Sequence, residues 1–179
     1  METNPHAIDH SWLPNAALLS KMKVLVIDDE PANVALLEAM LAEGGYSRVK
    51  AISDSRVALA ALDTFEPDLI LLDLMMPHVD GFAILEAVRG AVTETFLPII
   101  VLTADANETT KLRALRAGAT DFLLKPFDQL EVLLRLANLL ETRRLHLQLD
   151  MQVAAYADAV RERTSELREV RGQLEAVQG

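Results

Sequence analysis

The chain has 179 residues, with 27 acidic and 17 basic side chains, a formal charge of −10 and no cysteine. Disulfides and thiolate metal sites are excluded, and the negative surface argues against nucleic acid or anionic lipid as a partner of this region. No apolar run reaches the length of a membrane span, and no basic start followed by an apolar stretch marks a secretory leader; the length leaves room for one domain and an appendage, and the expected setting is the cytoplasm, which the lack of cysteine permits without proving.

Residues 1–22 are polar, contain Pro5 and Pro14 and keep no sustained period. They read as a flexible N-terminal tail, in which His6, His10 and Trp12 are ordinary leader residues. From Lys23 short apolar runs alternate with longer amphipathic segments. Lys23–Asp28 is the first predicted strand. Pro31 suits the first position of a helix, which carries Val34, Leu37, Met40 and Leu41 on one face and stops at Gly44-Gly45. Arg48–Ile52 is a short second strand. Ser53-Asp54-Ser55 offers caps for a helix that ends near Phe65, before Pro67. Asp68–Asp73 is the third strand. Asp80 caps a helix over 81–89 with Phe82, Leu85 and Val88 inward. Pro98–Thr103 is the fourth strand. A helix opened by Asp105 or Asn107 runs to Ala117 and stops at Gly118. Asp121–Leu124 is the fifth strand, and Asp128-Gln129-Leu130-Glu131 has the spacing of a capping box.

Five alternations of strand and helix predict a doubly wound parallel α/β sheet with helices on both faces. Ligands of such sheets sit outside the carboxyl ends of the strands. The informative polar residues fall there: Asp28-Asp29, Asp73, Thr103 and Lys125 each close a strand. Asp73 is the sharpest case, because it ends the apolar run Leu69-Ile70-Leu71-Leu72 and precedes Pro77 and Gly81. A charge in that position is costly to desolvate unless it is paired. Three carboxylates crowded together repel; two unit charges about 4 Å apart cost roughly 4 kcal/mol at an effective dielectric near 20. Such a group invites a cation, and oxygen donors suit a hard one, Mg2+. A carboxylate also attacks phosphorus. The expectation is that Asp73 is a nucleophile that accepts a phosphoryl group, with Thr103 donating a hydroxyl hydrogen bond to that group and Lys125 offsetting its charge.

The helix opened by Asp128 meets no Pro, and no Gly before Gly172, as far as Gln178. At about 1.5 Å per residue that is roughly 75 Å. Leu130, Leu133, Leu134 and Ala137 suit packing on the sheet. Leu149, Val153, Tyr156, Val160, Arg163, Leu167, Val170, Leu174 and Val177 then alternate spacings of four and three, a heptad seam interrupted by Arg163. The expected domains are the tail 1–22, a globular domain over 23–140 and a helical extension over 141–179. A parallel coiled-coil homodimer is the first reading of the seam, with Glu166 of one helix facing Arg171 of the other. An output domain docking on the same stripe is its rival.

The order Asp28-Asp29-Glu30, Asp73 with Met76-Pro77 and Gly81, Thr103-Ala104 and Lys125-Pro126-Phe127 resembles the receiver domain of two-component response regulators, over about residues 23–140. The resemblance implies strand order 2-1-3-4-5, the flavodoxin-like arrangement. It implies that Asp73 is the phosphoacceptor, that Asp29 binds Mg2+ directly and Asp28 mainly through water, and that Met75 gives its backbone carbonyl to the ion. It places Thr103 and Lys125 on the phosphoryl oxygens, Phe122 at an aromatic switch position coupled to Thr103, and a cis bond at Lys125-Pro126. The implied partner is a sensor histidine kinase or phosphotransfer protein, and the implied role is signalling rather than turnover. Met75 and Asp105 stand where the family varies and dephosphorylation is tuned. The extension around Arg161-Glu162-Arg163-Thr164-Ser165-Glu166-Leu167 resembles, more distantly, linkers that join receivers to HD-GYP phosphodiesterases, other cyclic-di-GMP enzymes or histidine kinases. Two other classes compete with this reading. A phosphatase of the haloacid dehalogenase type needs a general acid two residues after its nucleophile, where this chain has Met75. A dimerisation scaffold would have no use for a full set of site residues.

Overall fold

A computed structural model of the protein describes residues 16–91, 96–105 and 107–178, with side chains throughout except at 16, 169, 170, 172 and 174–178. The elements in chain order are α1 (Ala16–Leu19), β1 (Val24–Ile27), α2 (Pro31–Glu43), β2 (Val49–Ile52), a 3-10 turn (Ser55–Val57), α3 (Ala58–Phe65), β3 (Leu69–Asp73), α4 (Gly81–Ala91), β4 (Ile99–Thr103), α5 (Glu108–Arg116), β5 (Asp121–Leu124) and α6 (Gln129–Gln178). The chain divides into two compact units, Met1–Arg144 and Leu145–Gly179.

The five strands form one parallel sheet in the order β2-β1-β3-β4-β5. The three inner strands are buried at every position, which is why they read as unbroken apolar runs. The edge strands β2 and β5 are only partly covered and tolerate Lys50 and Asp121. One face of the sheet packs Leu25, Ile27, Ile70, Leu72, Ile99 and Val101 against α3, α4 and Ala114 of α5. Buried side chains of α2 (Leu37, Met40, Leu41) and of the first turns of α6 (Val132, Leu133, Leu136, Ala137, Leu140) cover the other. Gly44, at the end of α2, has no room for a Cβ, which would sit 2.5 Å from Leu133.

Helix starts mostly follow the capping residues named from the sequence. Pro31 opens α2, Asn107 accepts from the Thr109 N–H, Asp80 accepts from Phe82, and Asp128 accepts from Glu131 at 2.8 Å. The reciprocal half of the last box is not made, since the Glu131 carboxylate binds Arg135 instead. A charged partner four residues along is the stronger attraction. Before α3, Asp54 caps a 3-10 turn rather than the α-helix itself.

Residues 16–22 depart from the expected loose tail. Leu19 and Met22 are buried, and the Ser20 carbonyl accepts from the Ser47 N–H at 3.1 Å. Burying Leu19 alone stabilises by about 2 kcal/mol, which a count of polar residues and prolines does not register. His6, His10 and Trp12 lie outside the described residues.

At the amino ends of β4 and β5 a single side chain joins three segments. Arg89, in the last turn of α4, donates to the carbonyls of Gly118 and Leu97, each at 2.7 Å, and to Thr120 Oγ1 at 3.3 Å. Gly118 has φ +102°, and a Cβ there would meet the Arg89 side chain.

The second unit is helical through Gln178. Its seam side chains are open: Leu149, Val153, Tyr156, Val160 and Leu167 are all more than half exposed. Arg161–Asp158 and Arg163–Glu166 pair along the helix. The seam positions Val170, Leu174 and Val177 lie outside the described side chains.

Candidate functional site

Parallel register sets the site. Ile27 lies opposite Leu72, Asp73 opposite Leu102, and Thr103 opposite Leu124. The residues that follow these pairs therefore emerge side by side at one end of the sheet. Asp28, Asp29 and Asp73 each offer a carboxylate oxygen within 4.8 Å of the others. Asp28 is fully buried, Asp73 is 4% exposed and Thr103 1%.

Lys125 reaches this group from the end of β5. Its Nζ lies 2.8 Å from Asp28 Oδ2 and 2.7 Å from Asp73 Oδ2. Burial pulls the ammonium toward its neutral form, but the hydrogen bonds and charges of Asp28 and Asp73 outweigh that and hold it above the ordinary lysine value. Asp73 Oδ1 also accepts from the Met75 N–H at 3.1 Å. Thr103 Oγ1 accepts from the Asp105 N–H at 3.0 Å, and the Thr103 carbonyl accepts from the Lys125 N–H at 2.9 Å. The Lys125-Pro126 peptide is cis. All the residues expected at strand ends are thus brought together.

Asp29 is half-buried and has no hydrogen-bond or ion-pair partner among the described residues. Three carboxylates, one of them uncommitted, form an all-oxygen donor set. That set fits a hard divalent ion such as Mg2+, which keeps several of its own waters.

Phe122 is half-buried, with Lys111 Nζ 4.6 Å and the Arg135 guanidinium 6.0 Å from its ring centroid. Asp105 faces its own loop, accepting from the Asn107 N–H at 2.8 Å and from Thr110 Oγ1 at 2.6 Å. The Thr110 hydroxyl and the Asn107 N–H hold its carboxyl below the usual range.

Two participants escaped the sequence reading. Asn33, on the first turn of α2, donates to both oxygens of Asp28 at 3.1 and 3.2 Å. Ser55 is buried; its hydroxyl donates to the Pro77 carbonyl at 2.8 Å and accepts from the Val79 N–H at 3.2 Å, bracing the loop that follows Asp73. In sequence both look like ordinary helix-start residues.

The family described as response regulator receiver domain matches residues 24–137. Response regulator PleD of Caulobacter vibrioides is 38% identical over 117 residues, which are 65% of this chain and 26% of the relative. The alkaline phosphatase synthesis transcriptional regulatory protein PhoP of Bacillus subtilis is 41% identical over 110 residues, 62% of this chain and 45% of the relative. The chain therefore spans less than half the length of either relative. The receiver domain of a sensor histidine kinase from Pseudomonas aeruginosa, solved with a magnesium ion coordinated in its active site cleft, is 32% identical. That match covers 68% of this chain and 98% of the other at a TM-score of 0.62. A response regulator/GGDEF domain protein is 30% identical, covering 72% of this chain and 53% of its own at a TM-score of 0.67. Sheet order, the acid group with its lysine, and these similarities agree: the chain belongs to the receiver domain family of two-component response regulators, signalling domains whose general function is to accept a phosphoryl group.

Proposed function

We propose that Asp73 is the phosphoacceptor of this chain and that a sensor histidine kinase or phosphotransfer protein is its donor. The convergence of Lys125 on the buried Asp28 and Asp73 carries the reading, because it joins three distant strand ends in one pocket. Asp29 and Asp73 would hold Mg2+ directly, Asp28 mainly through water, and the Met75 carbonyl would complete the protein ligands. Bound there, the ion would offset charge on the transferring oxygens. An Asp73 carboxylate oxygen forms a bond to phosphorus as the bond from phosphorus to the donor's imidazole nitrogen breaks, and the electron pair leaves with the imidazole. Lys125 and the Thr103 hydroxyl bind the phosphoryl oxygens.

The state of Asp73 then reaches the rest of the protein through Thr103 and Phe122, which adjoin α5 and the start of α6. Residues 23–140 act as the receiver and 141–179 as a helical extension that dimerises through its apolar stripe. The open side chains of Leu149, Val153, Tyr156, Val160 and Leu167 support that dimer. A cyclic-di-GMP enzyme or similar output domain in a longer protein fits the likeness to a receiver joined to a GGDEF domain. The setting is the cytoplasm, where histidine kinases donate.

The test is intact-protein mass after incubation with acetyl phosphate and Mg2+. The expected result is one added phosphoryl group, lost in Asp73→Asn. No adduct on the native chain, or an unchanged adduct in the variant, removes the assignment.

A further inference from the structure

Asp28 is fully buried, yet neither of its oxygens is free. Oδ1 accepts from the Glu30 N–H at 3.0 Å and from Asn33 Nδ2 at 3.1 Å. Oδ2 accepts from the same Asn33 nitrogen at 3.2 Å and from Lys125 Nζ at 2.8 Å. A carboxylate offers about four lone-pair sites, so each is engaged here, and a metal-bound water reaches Asp28 only as one of these bonds gives way. Its three donors differ in freedom. The Glu30 N–H is fixed in the backbone. The Lys125 ammonium is divided between Asp28 and Asp73. Asn33 is a neutral amide that spans both oxygens from the third position of α2.

The ammonium has three donors, two of them on Asp28 and Asp73, and moving it toward an oxygen of a group carried by Asp73 draws the nitrogen away from Asp28. The carboxylate left behind is buried, and a buried charge that loses its partner is costly. Another cation beside Asp28 would satisfy it, but would also cancel the negative charge that attracts a metal. An amide supplies hydrogen bonds and leaves the charge in place. We propose that Asn33 is a positioning residue for phosphoryl acceptance: it keeps both Asp28 oxygens bonded while Lys125 turns toward the phosphoryl group. This rests on Asp73 being the acceptor.

The probe is beryllofluoride, which has the shape and charge of a phosphoryl group on a carboxylate. Its affinity is measured by calorimetry at saturating Mg2+ in the native chain, Asn33→Leu and Asn33→Ala. Mg2+ affinity is measured separately without beryllofluoride. Losing a hydrogen bond to a charged group corresponds to about a tenfold fall in beryllofluoride affinity. Mg2+ affinity alone holds or rises, because a lone pair on Asp28 is released. Asn33→His, which retains a ring N–H donor, recovers part of the loss. Leucine keeps the volume of the amide and alanine relieves any crowding, so a folding defect in one leaves the other to decide. Unchanged beryllofluoride affinity, or equal losses of beryllofluoride and Mg2+ affinity, overturns the proposal. A native chain that binds no beryllofluoride overturns the acceptor assignment instead.

Discussion

Gly81 begins α4 with its Cα against the backbone of the phosphoacceptor candidate. A Cβ there would overlap the Asp73 carbonyl and stand 2.7 Å from Leu74 Cα. Backbone cannot step aside as a flexible side chain can, so Gly81→Ala has to move either α4 or the end of β3. The expected outcome is a loss of about 2 kcal/mol in chemical denaturation, the scale of an overpacked core site, with slower phosphorylation because Asp73 itself is displaced. Lys125 is constrained by charge. Lys125→Met leaves two buried carboxylates without their cation, a change worth about 3 kcal/mol, and added Mg2+ restores part of it in a thermal melt. The pH dependence has a definite sign. Lys125 is held above its ordinary value, so its contribution is complete below the unfolded-state value of about 10.4 and fades as pH rises through the higher folded value. Melts between pH 7 and 9 accordingly show no step that Lys125→Met removes. Asp28, Asp29, Asp73, Thr103 and Lys125 were legible because each interrupts or closes an apolar run. Asn33 and Ser55 were not, since their importance comes from segments that only the folded register brings near them.

The inner strands could be read directly, because burial on both faces leaves nothing but apolar residues. Helix edges were harder to read. Asp54 and Glu131 have the spacing of caps, yet each also answers to an arginine two or four residues along, and spacing does not say which partner wins. α1 and the turn after it were hidden in a polar leader because the two buried side chains over 16–22, Leu19 and Met22, are too few to form a period. The stripe on α6 can be tested as an element. Val153→Lys with Val160→Lys puts charge on two exposed seam positions and touches no residue of the buried core. If the stripe holds a second copy, light scattering shows dimer in the native chain and monomer in the double variant, with phosphorylation of Asp73 retained. Dimer in both would place the contact elsewhere.

Across the whole molecule the parallel sheet has two unlike ends. Polar chemistry gathers where the strands finish. Where β4 and β5 begin, Arg89 fastens α4 to Leu97, Gly118 and Thr120. Four- and five-residue strands put about 15 Å between those ends. Arg89→Met leaves two carbonyls without their donor and is expected to cost about 2 kcal/mol, read as an earlier denaturation midpoint. Acetyl phosphate labelling of the folded fraction stays at the native rate; a matching drop in rate would show that the ends are not independent. The guanidinium thus works as an anchor bolt, making one pole of the domain stiff. If Asp73 accepts a phosphoryl group as proposed, the rearrangement that follows is expected along the opposite rim, where β4 and β5 end.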